Sequence, residues 1–188
     1  MLNKLFGWTN SRRARERLLA LLRIIVWRAE LPQSLVTNSR QPIQDFDVGE
    51  RLFFRVSSAN IDLRKPPEDR LLPAAISMPN QSVNRSRFSI ACYAILPSPD
   101  HPNSPKWLEQ GVYEASVDDI PPKLGHFEIR TEHGPEPNNY SHCELRSFDS
   151  AGNRVSPRNL GSKTERKEWR NKIFRSSSCS LVISPVAI

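Results

Sequence analysis

The sequence predicts an α+β protein: a mainly antiparallel β-sheet with an amphipathic helix near the N-terminus and a basic helix near the C-terminus. Three observations carry that expectation. Short apolar or alternating runs bounded by Pro, Gly and Asn recur between residues 51 and 183, as strands and turns require. Apolar residues at helical spacing form one long stripe between residues 11 and 30. A capping-box pattern, Ser162-Lys163-Thr164-Glu165, opens a second helix. At 188 residues the chain is long enough for one substantial core, and 16 prolines against 7 glycines stiffen its connections. The expected division is a basic amphipathic helix over residues 1–30 and a single α+β domain over residues 31–188.

In the first helix, about Ser11 to Glu30, the residues Ala14, Leu18, Leu21, Leu22, Ile25 and Ala29 share one face, and Pro32 ends the run. Arg12, Arg13, Arg15 and Arg17 crowd its first turns. Cations there oppose the helix dipole, so local helix stability does not explain them and an external anion would. The competing reading has the stripe packing into the protein's own core while the arginines face water.

Residues 31–50 read as a connection, and Arg51 to Val56 as a strand. A proline-punctuated loop follows, from Arg64 to Pro79. Asn84-Arg85-Ser86-Arg87 reads as an exposed turn. Phe88 to Leu96 is apolar on both faces, which suits a central strand. Val112 to Val117 reads as a further strand. His126 to Arg130 and His142 to Arg146 alternate strictly across a loop rich in Gly, Pro and Asn, the pattern of a hairpin. The C-terminal helix should run to about Ser176, with Glu168 and Lys172 supporting it at i,i+4, before a last strand at Leu181 to Ile183.

The net charge of +7 is unevenly spread. Residues 1–30 hold seven Lys and Arg against two acids, residues 161–176 hold six against two, and the remainder hold fourteen against sixteen. That asymmetry points to an acidic partner: nucleic acid, a nucleoprotein, or an acidic or membrane surface. On the C-terminal helix Lys163, Arg166, Lys167 and Arg170 recur at i, i+3, i+4 and i+7, a face suited to phosphate contacts. Trp169 and Phe174 beside them have rings that could stack on unpaired bases.

A second reading rests on the hairpin. His126, Glu128, His142 and Glu144 occur in two copies of H-x-E, followed each time by an apolar residue and an arginine. Were the two polar faces to coincide, two imidazoles and two carboxylates would suit a divalent ion of zinc, manganese or iron type and support metal-assisted hydrolysis, a nuclease among the outcomes. The simpler reading makes them the wet face of an antiparallel sheet, with His133 a solvated loop residue. No P-loop, GxGxxG, GxSxG or HExxH occurs. Whether the chain is an enzyme stays open, and no cofactor is expected outside the metal reading.

Cys92, Cys143 and Cys179 are odd in number and contain no CxxC pair, which fits reduced thiols. The longest apolar stretch, Leu18 to Trp27, is short and interrupted by Arg23, so a membrane span is not expected. A cytoplasmic location follows as the expectation, although the arginine-rich first 29 residues share their composition with targeting presequences. The leading expectation for function is a non-catalytic accessory protein that contacts nucleic acid or a nucleoprotein through its two basic helices. The third possibility docks the N-terminal helix on a membrane surface or on another protein.

Overall fold

A computed structural model describes residues 42–66, 69–78, 80–91, 94, 110–136, 139–156 and 160–185. The expected N-terminal helix over residues 11–30, with Arg12, Arg13, Arg15 and Arg17, lies outside them. Among the described residues there are seven strands: β1 (Arg51–Ser57), β2 (Gln81–Arg85), β3 (Gln110–Ser116), β4 (Lys123–Leu124), β5 (Phe127–His133), β6 (His142–Phe148) and β7 (Ser180–Ile183). One α-helix, α1 (Lys163–Phe174), connects β6 to β7. The strands form one sheet in the order β4-β5-β6-β2-β1-β3-β7, antiparallel at every neighbouring pair. Among the described residues the fold is therefore a mainly antiparallel sheet with a C-terminal helix.

Strand alternation sorts the side chains. Leu52, Phe54 and Val56 of β1 face the main core together with Val83, Tyr113, Ala115, Phe127, Ile129, Cys143 and Leu145 from neighbouring strands. Helix α1 closes that face with Trp169, Ile173 and Phe174, and the Trp169 indole donates to the Pro121 carbonyl at 2.9 Å. Leu52 and Leu145 are fully buried, so truncating either to alanine should cost about 2–5 kcal/mol. On the other face Phe53 and Val112 are covered by Ile90, Ala91 and Ala94. Phe53 is thus buried on the second face of β1, where its neighbours Arg55 and Ser57 stay exposed.

That second cover corrects one expectation. Over its described residues, Phe88 to Leu96 is no strand: Phe88 ends a turn, and Ala91 and Ala94 lie in short 3-10 turns. An apolar run with no polar alternation fits a segment laid over a sheet as well as a strand within one, and periodicity does not separate the two. The strand that does occupy this part of the chain is β2, earlier in sequence. Its last residues, Asn84 and Arg85, are buried rather than forming an exposed turn.

β4 and β5 are joined by Gly125-His126 alone, and Gly125 adopts φ +58°, a left-handed conformation that glycine enters without steric cost. Cys143 and Cys179 are free thiols, and Cys92 lies outside the described residues. No helix among the described residues is long and apolar enough to cross a membrane.

Candidate functional site

Helix α1 begins as its sequence dictates. Ser162 accepts from the Glu165 amide at 3.1 Å, and the Glu165 carboxylate accepts from the Ser162 amide at 2.7 Å. This reciprocal cap satisfies two donors that a helix start leaves orphaned, and it holds the Glu165 carboxyl below its ordinary value. Lys163, Lys167, Lys172 and Arg175 then project outward, all exposed.

Arg166 and Arg170, placed on the same basic face by their spacing, turn inward instead. At about 100° per residue they fall between Ile173 and Phe174 around the helix, and both of those are buried. Burying Ile173 and Phe174 draws the intervening arginine stems to the core side. Arg166 Nη1 donates to the carbonyls of Leu160 at 2.6 Å and Gly161 at 2.7 Å, bracing the turn that leads into the helix. Arg170 is half-buried, its Nε has no hydrogen-bond partner, and burial followed by the neighbouring Arg166 charge lowers its pKa. Trp169 and Phe174 are 2% and 7% exposed, so their rings are committed to the core and present no stacking surface.

Arg175, just past the end of α1, is neutralised by a carboxylate, its Nη2 lying 3.7 Å from Asp69. Among the described residues Lys163, Arg166, Lys167, Arg170 and Lys172 form no ion pair, and the spacing of Glu168 and Lys172 does not produce one. With five cations against two acids, Glu165 and Glu168, the helix keeps an excess of positive charge.

The hairpin of β5 and β6 does form, with adjacent strands. Its register sets Glu128 opposite Phe148, Arg130 opposite Arg146, and Glu132 opposite Glu144. Two copies of one directional motif, paired antiparallel about their arginines, put their histidines at opposite ends. Glu128 and Glu144 are thus four residues apart along the hairpin, about 13 Å, and His126 and His142 eight, about 26 Å. Ligand distances at one ion are about 2.0–2.2 Å, and the register does not bring the four side chains together on that scale. His126 is exposed, with its ring against Phe127. Glu128 pairs with Arg130 at 2.6 Å. His142 is buried, its Nδ1 donating to the Gly134 carbonyl at 2.7 Å. Glu144 pairs with Arg146. Among the described residues no three His, Cys, Asp or Glu side chains gather as metal ligands would.

A second polar cluster escapes the sequence reading altogether. Arg85 is fully buried, and it forks onto Glu50, with Nε to Oε1 at 2.8 Å and Nη2 to Oε2 at 2.7 Å. Burial opposes ionisation of Glu50, but the hydrogen bonds and charge of Arg85 outweigh it and hold the carboxyl below its ordinary value. The Arg85 guanidinium also lies 3.8 Å from the centre of the Phe46 ring. Nearby, His133 is 2% exposed, stacked on Phe88 with ring centres 5.3 Å apart. It is no solvated loop residue but the last position of β5. The signal was its phase: Phe127, Ile129, Thr131 and His133 alternate onto the inward face.

No family model, curated protein or solved structure matches the chain.

Proposed function

We propose that the protein is a non-catalytic nucleic-acid-binding protein that contacts the sugar-phosphate backbone through its basic C-terminal helix, with the arginine-rich residues 12–17 as a second contact. The observation that supports this reading is the set of five cations on α1 without a carboxylate partner among the described residues, three of them exposed lysines. Exposed lysines at Lys163, Lys167 and Lys172 act as point charges on flexible stems, suited to phosphates of any sequence. With Trp169 and Phe174 buried, base stacking by this helix is not part of the reading. The expected behaviour is sequence-tolerant binding governed by counterion release.

The test is fluorescence anisotropy of a mixed-sequence oligonucleotide against full-length protein over a range of salt. The logarithm of the affinity should fall linearly with log salt, and Lys163→Gln, Lys167→Gln and Lys172→Gln together should flatten that slope by up to about 0.9 per lost phosphate contact. Affinity that does not respond to salt, or no binding at low ionic strength, would refute the reading.

A further inference from the structure

Residues 42–47 run across the sheet with little burial of their own. Ile43 is 37% exposed, and Phe46 alone is half-buried. Polar contacts do the fastening. The Gln44 side-chain amide donates to the His133 carbonyl at 2.9 Å and accepts from the His133 amide at 3.1 Å, as a neighbouring strand would. Arg85 donates to the carbonyls of Ile43 at 2.5 Å and Asp45 at 2.7 Å. The Ile43 amide donates to His133 Nδ1 at 2.9 Å.

The partners of the His133 ring fix its protonation state. A backbone amide only donates and a carbonyl only accepts. Nδ1, facing the Ile43 amide, must therefore be bare, while Nε2 carries the hydrogen it gives to the Tyr140 carbonyl at 2.6 Å. Both nitrogens are committed, with opposite polarity, in the neutral ring. A proton on Nδ1 would set N–H against N–H.

We propose that mild acid unfastens the start of the strap formed by residues 42–47: protonation of His133 at Nδ1 expels the Ile43 amide and loosens the chain there, while the Gln44 and Arg85 contacts keep residues 44–47 in place and the sheet stays folded. The groups around the imidazole favour this outcome. Arg85 from β2 adds a second cation, whose effect on the ring exceeds the opposing charge of Glu50. Tyr140 and Phe88 present ring faces and edges. The strap's own acids are Asp45 and Asp47, and Asp47 lies 3.7 Å from Arg87. Burial, with the Arg85 charge behind it, holds His133 below its ordinary value of 6.5, so the strap is fastened at neutral pH. Opening is local because so little apolar surface would be exposed.

The experiment measures amide hydrogen exchange by NMR in the full-length chain from pH 7.5 to pH 5, corrected for intrinsic exchange. Ile43 protection should fall about tenfold per pH unit once His133 titrates, while the amides of Phe54 and Tyr113 in the sheet keep theirs. In His133→Asn the side-chain oxygen takes the place of Nδ1 and does not titrate, so Ile43 protection should stay flat. A flat wild-type profile, an equal loss in the sheet, or a persisting fall in His133→Asn would each overturn the proposal. Should that variant not fold, the wild-type imidazole nitrogen shifts decide. A neutral ring protonated at Nε2 that becomes charged as Ile43 loses protection supports the strap, and a ring protonated at Nδ1 at pH 7.5 overturns it.

Discussion

Arg51, Arg85, Arg130 and Arg146 lie on strands, and each meets a carboxylate: Glu114 at 3.8 Å, Glu50 at 2.7 Å, Glu128 at 2.6 Å, and the Glu132 and Glu144 pair. Helix α1 carries five cations, none of them paired in this way among the described residues, and Arg175 just past its end meets Asp69. A charge that a sheet buries, or lays beside another charge, must be compensated within the fold. A charge that points outward from a helix has no such requirement, so its compensation is left to solvent ions or to a partner. The expectation is a double dissociation, with Arg85 governing folding and the helix lysines governing association.

The largest effect should come from Arg85→Met. It leaves the Glu50 carboxylate and the Ile43 and Asp45 carbonyls without their buried donor, and urea denaturation should register a loss of about 3–5 kcal/mol. A loss under about 1 kcal/mol would mean that the pair is not buried in solution.

The pH dependence comes next. Because folding holds His133 neutral below 6.5, unfolding takes up a proton in the window beneath that value, and stability falls with pH there by at most about 1.4 kcal/mol per unit. Glu50 is held ionised below 4.5, so a second decline should begin as pH drops under that value. Denaturation midpoints in His133→Asn should lose the first decline and keep the second.

Ser162→Ala removes the cap of α1 and should cost about 1 kcal/mol, which thermal unfolding followed by circular dichroism would detect. Smallest of all, replacing Lys163, Lys167 and Lys172 with glutamine should change stability by no more than about 0.5 kcal/mol each while altering the salt dependence of oligonucleotide binding. Arg130→Gln, on the exposed sheet surface, should leave both readouts unchanged. A helix variant that unfolds the protein would erase the contrast between the two regions.

The elements legible in the sequence are those whose pattern is local. β1, β3, the β5 and β6 hairpin, α1 and β7 follow from apolar alternation, a loop rich in turn residues and the Ser162 to Glu165 box. β2 was hidden because Val83 is its single aliphatic residue and its buried Arg85 is matched by Glu50, a partner 35 residues away. Spacing on α1 gave the right helix but the wrong exposure for Arg166 and Arg170, since Phe174 rotates that face toward the core. At the hairpin, motif content could be read without register, and register decides which side chains meet. The buried environment of His133 depends on Phe88, Tyr140 and Ile43 arriving from three separate segments.

The strand order has a consequence for how fast the chain reaches this state. At the centre of the sheet, residue 57 of β1 pairs with residue 110 of β3, and residue 84 of β2 with residue 142 of β6, so those ladders close loops of more than fifty residues. Contacts so distant in sequence require loop entropy to be lost before any pairing rewards it, which places folding in the millisecond to second range typical of sheet proteins. The β4-β5-β6 unit, joined by near neighbours, can form within about 1–10 microseconds per hairpin and wait for the rest. By the same loop-entropy argument β1 and β2, whose paired residues 52 and 85 are 33 apart, can join each other before β2 docks on the edge of β6. Until it does, the outer edge of β6 is an unpaired strand, so the interval before β2 arrives is when the chain is most exposed to pairing with another copy of itself.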